Sequence, residues 1–156
     1  MYKLKFKYYL LYLLFVVMLY CILIIFLPSV KVAEFDTSIP SARQIIVHNL
    51  KNYLMWSVSF ITWPLNFLFE SFVLSFNIKT GIANLGGEGT FIKLWKHGII
   101  EFPNMCLYQF LSLRLLYFWW KDKRLSTVYD YVLSNKRIYC CSALLIFVAG
   151  MIEGMK

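Results

Sequence analysis

Apolar residues run through this chain in long stretches, and polar residues recur inside several of those stretches at helical spacing. The run 8–27 is about the length a bilayer crossing needs, roughly 20 residues, and predicts a first span. Lys3, Lys5 and Lys7 precede it as they would in a secretory leader. Its apolar core is too long for a leader, however, and no small-residue cleavage site follows Pro28, so it reads as a retained span. Segment 28–44 mixes Lys31, Glu34, Asp36 and Arg43 with two prolines, the composition of an aqueous loop. Ser41 then opens an amphipathic helix near 41–51 that enters the membrane close to Asn49. Beyond it the pattern predicts spans near 49–63, 66–85, 92–120 and 138–154.

The basic residues decide how the ambiguous stretch 52–85 is divided. Lys3, Lys5 and Lys7 are expected in the cytoplasm, and so is the loop holding Lys121, Lys123, Arg124, Lys136 and Arg137, because an excess of Lys and Arg in short loops marks that side. An even number of crossings must separate the two groups. Two are supplied by 8–27 and 92–120, so 52–85 crosses twice or not at all, and its length and apolarity favour two closely packed crossings. Pro64, with Trp63 and Asn66 beside it, is the expected break at the inner interface, with the exact turn there or a few residues later. The expectation is an all-α bundle of about five spans forming a single integral membrane domain, with the N-terminus inside and Lys156 outside.

Composition agrees with that reading. Of 156 residues, 60% are hydrophobic, 19% aromatic and only 15% charged, too apolar for a soluble domain of this size to cover with polar surface. The formal charge of +8 raises nucleic-acid binding, but the basic residues sit at the ends of apolar runs, where they orient spans. No nucleic-acid partner is expected.

The candidate chemistry lies in two polar stripes. His97, Glu101, Asn104, Tyr108 and Ser112 recur every three or four positions and share one side of a helix that is otherwise apolar. On the preceding span Asn66, Glu70, Asn77, Gly81 and Asn84 do the same. Lipid rejects an unpaired carboxylate at a cost of several kcal/mol, so both stripes are expected to face protein or water. The topology puts Asn49, Asn77, Gly81, His97, Glu101, Asn104 and Glu153 at similar depth, as one polar cluster opening toward the outside. His97, Glu101 and Glu153 have the residue types of a three-ligand metal site, while a buried polar knot that fixes helix packing uses the same residues and is the preferred reading. Glu70 and Arg114 lie toward the cytoplasmic side, where they can pair or where Arg114 can snorkel to the interface. Pro103 either kinks its helix or frees the Ile99 carbonyl as a ligand.

The segment from His48 to Gly81 with Asn49, Pro64 and Phe76-Asn77, then His97-Gly98-Ile99-Ile100-Glu101-Phe102-Pro103, Leu113-Arg114-Leu115 and the closing Ala149-Gly150-Met151-Ile152-Glu153-Gly154, resembles the stage II sporulation protein M family. The resemblance implies a five-span protein that works with cell-wall remodelling partners. Some family members resemble membrane components of transport systems. This chain departs from the pattern at Ile78, Ser112 and Tyr117, where glycines are usual, which bears on close helix packing there.

No nucleophile context, P-loop or soluble domain is present to house an enzyme. Gly86, Gly87 and Gly89 read as an outer turn, and Cys21, Cys106, Cys140 and Cys141 have no metal-type pair spacing. The expected function is a non-enzymatic scaffold or accessory subunit that needs no cofactor. It would sit in a bacterial plasma membrane, with the lipid bilayer and other membrane or envelope proteins as its partners. The alternative is the membrane subunit of an ABC-type exporter or peptide-immunity system, partnered by a separate ATPase.

Overall fold

The computed structural model describes residues 4–31 and 41–154, apart from the side chains of residues 96, 97, 153 and 154. Most of the expected aqueous loop falls outside the described residues. Everything described is helix or short connection: α1 (Phe6–Phe26), α2 (Ala42–Val58), a short 3-10 turn (Phe60–Thr62), α3 (Trp63–Gly98), α4 (Glu101–Asp122), α5 (Leu125–Ser134) and α6 (Lys136–Gly154).

Local sequence explains the boundaries. Ser41 and Gln44 form a reciprocal capping box at the start of α2, each side chain accepting from the other residue's backbone N–H. The amphipathic segment and the second apolar run are thus one continuous helix rather than two elements. That helix ends at Ser59, earlier than the Pro64 break expected from the pattern, and Pro64 instead occupies the first turn of α3, where a missing N–H costs nothing. Pro103 likewise falls in the first turn of α4, so it initiates a helix and kinks none.

The run expected as one span at 92–120 is divided. Residues 92–98 belong to α3, a turn at Ile99 and Ile100 follows, and α4 begins at Glu101. Within α3, Gly86 adopts φ 74° and ψ 171°, a conformation that interrupts the helix. The side chain of Thr90 then lies 3.2 Å from where a Cβ on Gly81 would sit. Nine residues of straight helix would separate those positions by about 13 Å, so the chain doubles back at Gly86 and returns beside itself toward α4.

Contacts fix the directions of the helices. Tyr12 packs on Phe67, and Asn84 donates to the Val30 carbonyl, so α1 and α3 run parallel. Tyr12 donates to Gln109 while Tyr20 meets Phe102 edge to face, so α4 returns antiparallel to α1. Tyr53 donates to the Tyr139 carbonyl and Ile46 rests on Gly150, so α2 runs antiparallel to α6. A Cβ on Gly150 would collide with Ile46 Cγ1, which makes this glycine the condition for the close approach of the two helices. The main partner of α2 is therefore α6 and not α3, from which it departs by 87°.

Leu4 donates its backbone N–H to Asn135 Oδ1, and Phe60 packs on Trp119. Lys5, Lys7, the α2–α3 turn and the Lys121–Arg137 region thus gather at one end of the bundle, called here the basic end. Burial is inverted relative to a water-soluble protein. Asn104, Gln109, Ser71, Ser75 and Ser142 are buried, whereas Leu14 and Phe15 on α1, Leu65 and Phe69 on α3, and Leu144 and Phe147 on α6 are exposed. α1 is long and apolar enough to cross a membrane by itself, and two bent pairs, 42–95 and 125–152, pass the same test jointly, giving one to three such units. α2, at 17 residues, is too short to pass separately, and the polar residues carried by α3 and α4 keep those helices from doing so.

Candidate functional site

The polar residues converge on a cleft of about 830 Å³ enclosed by α2, α3, α4 and α6. From α2 come His48, Asn49 and Asn52, four-residue spacing that puts them on one face. From α3 come Asn66, Glu70 and Asn77, and from α4 Glu101, Asn104 and Tyr108. Apolar walls are supplied by residues such as Met55, Val73, Phe102, Met105 and Ile146, and the returning arm of α3 adds Leu94 and Gly98.

Two anchors hold carboxylates in this cleft. Asn49 Nδ2 donates to Glu101, tying α2 to the first turn of α4. At the second anchor, Trp56 Nε1 and Gln109 Nε2 both donate to Glu70 Oε2, each at 2.8 Å. Gln109 is fully buried, and its acceptors are used as well: Tyr12 donates to its side-chain oxygen and Trp63 Nε1 to its backbone carbonyl. Glu70 is thus the hub that links α2, α3 and α4, with α1 joined through Tyr12. A third polar contact lies beside the cleft. Asn104 Nδ2 donates to the Ser142 carbonyl at 2.9 Å, and Ser142 Oγ donates back to Asn104 Oδ1 at 2.7 Å. This reciprocal pair fixes α4 against α6.

The donors to both carboxylates are neutral amides and an indole, and no lysine or arginine is among the described residues that line the cleft. Asn52 and His48 share a hydrogen bond at 3.2 Å along α2. Tyr108 is only 7% exposed and lines the cleft, yet its hydroxyl has no hydrogen-bond partner among the described residues.

Asn49, Asn77, Glu101 and Asn104 therefore meet in one cleft, and Glu70, expected nearer the cytoplasmic side, joins them. Gly81 contributes the contact with Thr90 and no cleft surface. Arg114 makes no pair with Glu70: its guanidinium lies over the rings of Tyr117 and Phe118, at 5.2 and 4.8 Å from their centroids. The backbones of His97 and Glu153 fall in the last turns of α3 and α6, and their side chains lie outside the described residues. The break at Ile99 and Ile100 removes the continuous helix on which His97 and Glu101 were to face each other. Among the described residues no group of three His, Cys, Asp or Glu side chains is placed to hold a metal.

Sequence reasoning overlooked His48, Asn52, Trp56 and Gln109. For the α2 residues a signal existed, since His48 and Asn52 stand four apart beside Asn49. Gln109 carried no such signal, because it adjoins Tyr108 on the stripe and its partners come from three other helices.

No protein family, curated protein or solved structure matches this chain. What the site does must be read from its geometry.

Proposed function

We propose that the chain is a non-enzymatic, multi-pass membrane subunit that crosses a bacterial plasma membrane five times, through α1, α2, α3 up to Gly86, α4 and α6. Helix lengths support this. At 1.5 Å per residue those five segments measure from about 26 to about 34 Å, against a hydrocarbon core of about 30 Å. α5 leaves α6 at a bend of 68°, which suits a helix lying along the cytoplasmic surface.

The observation that carries the scaffold reading is the use made of the polar residues. Glu70, Gln109, Asn104 and Ser142 spend their hydrogen bonds on joining helices to one another, while apolar and aromatic side chains cover the outside. Such a body is a rigid membrane platform whose remaining surface suits lipid and the spans of other proteins. Together with the resemblance to the stage II sporulation protein M family, this favours a role as an accessory subunit of an envelope complex such as a cell-wall remodelling assembly.

Photocrosslinking from the exposed positions Phe15 on α1 and Phe147 on α6 in living cells tests the reading. The expected result is a discrete adduct with one membrane or envelope protein. Adducts with lipid alone from both faces overturn the scaffold role. A cytoplasmic ATPase captured from the 121–137 region instead would favour the exporter reading. Cysteine-accessibility labelling at positions 5 and 87 tests the crossings, which require opposite sides of the membrane.

A further inference from the structure

We infer that the cleft is a binding site for an elongated organic dication, a linear diamine whose two ammonium groups are joined by an aliphatic chain. The inference goes beyond the scaffold reading and does not depend on any protein partner.

The first ground is charge. Two carboxylates line one cleft and, among the described residues, take hydrogen bonds only from Asn49, Trp56 and Gln109, none of which carries charge. No described lysine or arginine lines the cleft to neutralise them. Inside a bundle, where the effective dielectric is low, carboxylates without a counter-charge are costly, and a cation brought by a ligand gains correspondingly. The cleft's imidazole, His48, shares a hydrogen bond with Asn52 and lies within electrostatic reach of Glu70, so it offsets that end in part and leaves Glu101 without a charged partner among the described residues.

The second ground is spacing, measured on two separate rails. Along α4, Glu101 precedes Gln109, the residue bonded to Glu70, by eight positions, about 12 Å of helix rise. Along α2, Asn49, which holds Glu101, precedes Trp56, which holds Glu70, by seven positions, about 10 Å. Both helices therefore set the two anionic anchors at opposite ends of the cleft with a similar separation. Between them the walls are apolar, from Met55, Val73 and Met105, a lining that fits methylene groups. A single small cation would satisfy one end only.

The third ground is an unused polar group. Tyr108 is over nine-tenths buried, lines the cleft next to Gln109 at the Glu70 end and has no hydroxyl partner among the described residues, so it offers a donor or acceptor to a ligand lying along the cleft. The volume, about 830 Å³, falls in the range of small-molecule sites.

The test is calorimetric titration of the full chain in lipid nanodiscs with the diamine series from ethylenediamine to dodecanediamine, with hexylamine as the single-charge control. The expected result is saturable binding that peaks at an intermediate chain length and exceeds hexylamine by about tenfold or more, as a second charge-assisted hydrogen bond requires. Glu70→Gln and Glu101→Gln should each reduce the best diamine to the affinity of hexylamine, and Tyr108→Phe should weaken it less. Absence of saturable binding, an affinity independent of chain length, or unaltered binding in both glutamine variants overturns the inference. The length profile is read on the unsubstituted protein, so it decides the matter even where a variant fails to fold.

Discussion

In the cleft, Glu70 and Glu101 lie within the bundle and depend on neutral donors from neighbouring helices. At the basic end, Arg114 and Lys123 lie over aromatic rings, Lys123 at 3.8 Å from the Trp120 centroid and 4.6 Å from that of Trp119. The acidic region is organised from many helices, and removing one member strands several others. The basic region is organised along α4 and its C-terminal turn, each cation meeting rings three and four residues away, and beneath it Phe60, Leu111, Leu115, Phe118 and Tyr131 form a separate apolar cluster. The difference teaches that charge toward the end of a helix can be settled locally, by rings on the same helix, whereas charge inside the bundle requires a tertiary network.

The contrast can be broken most forcefully at its hub. Glu70→Leu leaves Trp56 Nε1 and the Gln109 amide without an acceptor, and unfolding in mixed micelles should show a loss of about 2–4 kcal/mol. Replacing Glu70 by Gln keeps an acceptor and should cost less than half as much; equal losses would refute the hub. Next in size is Gly150→Leu. The new side chain collides with Ile46, and α2 must shift away from α6 at a cost of about 1–3 kcal/mol, read as a lowered Tm.

Asn104→Leu breaks the reciprocal pair with Ser142 and should cost about 1 kcal/mol in the same unfolding assay, with part of the loss recovered when Ser142→Ala removes the stranded hydroxyl. The smallest effect belongs to the basic end. Arg114→Gln removes the contact with Tyr117 and Phe118 and should cost about 0.5–1 kcal/mol without altering the cleft, a difference visible as an unchanged diamine profile. A collapse of the fold in this variant would mean that the two regions are not independent.

Much of the architecture was legible in the chain. The apolar runs marked helices, and Ser41 marked the start of α2. Of the cluster expected from depth, Asn49, Asn77, Glu101 and Asn104 line the cleft, Gly81 does not, and the side chains of His97 and Glu153 lie outside the described residues. Less legible were the breaks. Pro64 and Pro103 looked like interruptions and turned out to begin helices, because proline is excluded from a helix interior but suited to its first turn. The fold-back at Gly86 was read as an outer turn, but its consequence was hidden: 87–98 returns along α3 rather than extending α4.

By itself the sequence determined that this protein is helical, that its exterior is apolar, and that its polar residues must find one another inside, since lipid offers them no hydrogen bonds. Only the tertiary structure decided which ones meet. The pairing of α2 with α6 through Gly150 and Ile46 rests on the space between two backbones, and the choice of Trp56 and Gln109 over Arg114 as partners of Glu70 rests on helix rotation. Periodicity names the face a residue occupies on its own helix, while the identity of what stands opposite is a property of packing between segments far apart in the chain.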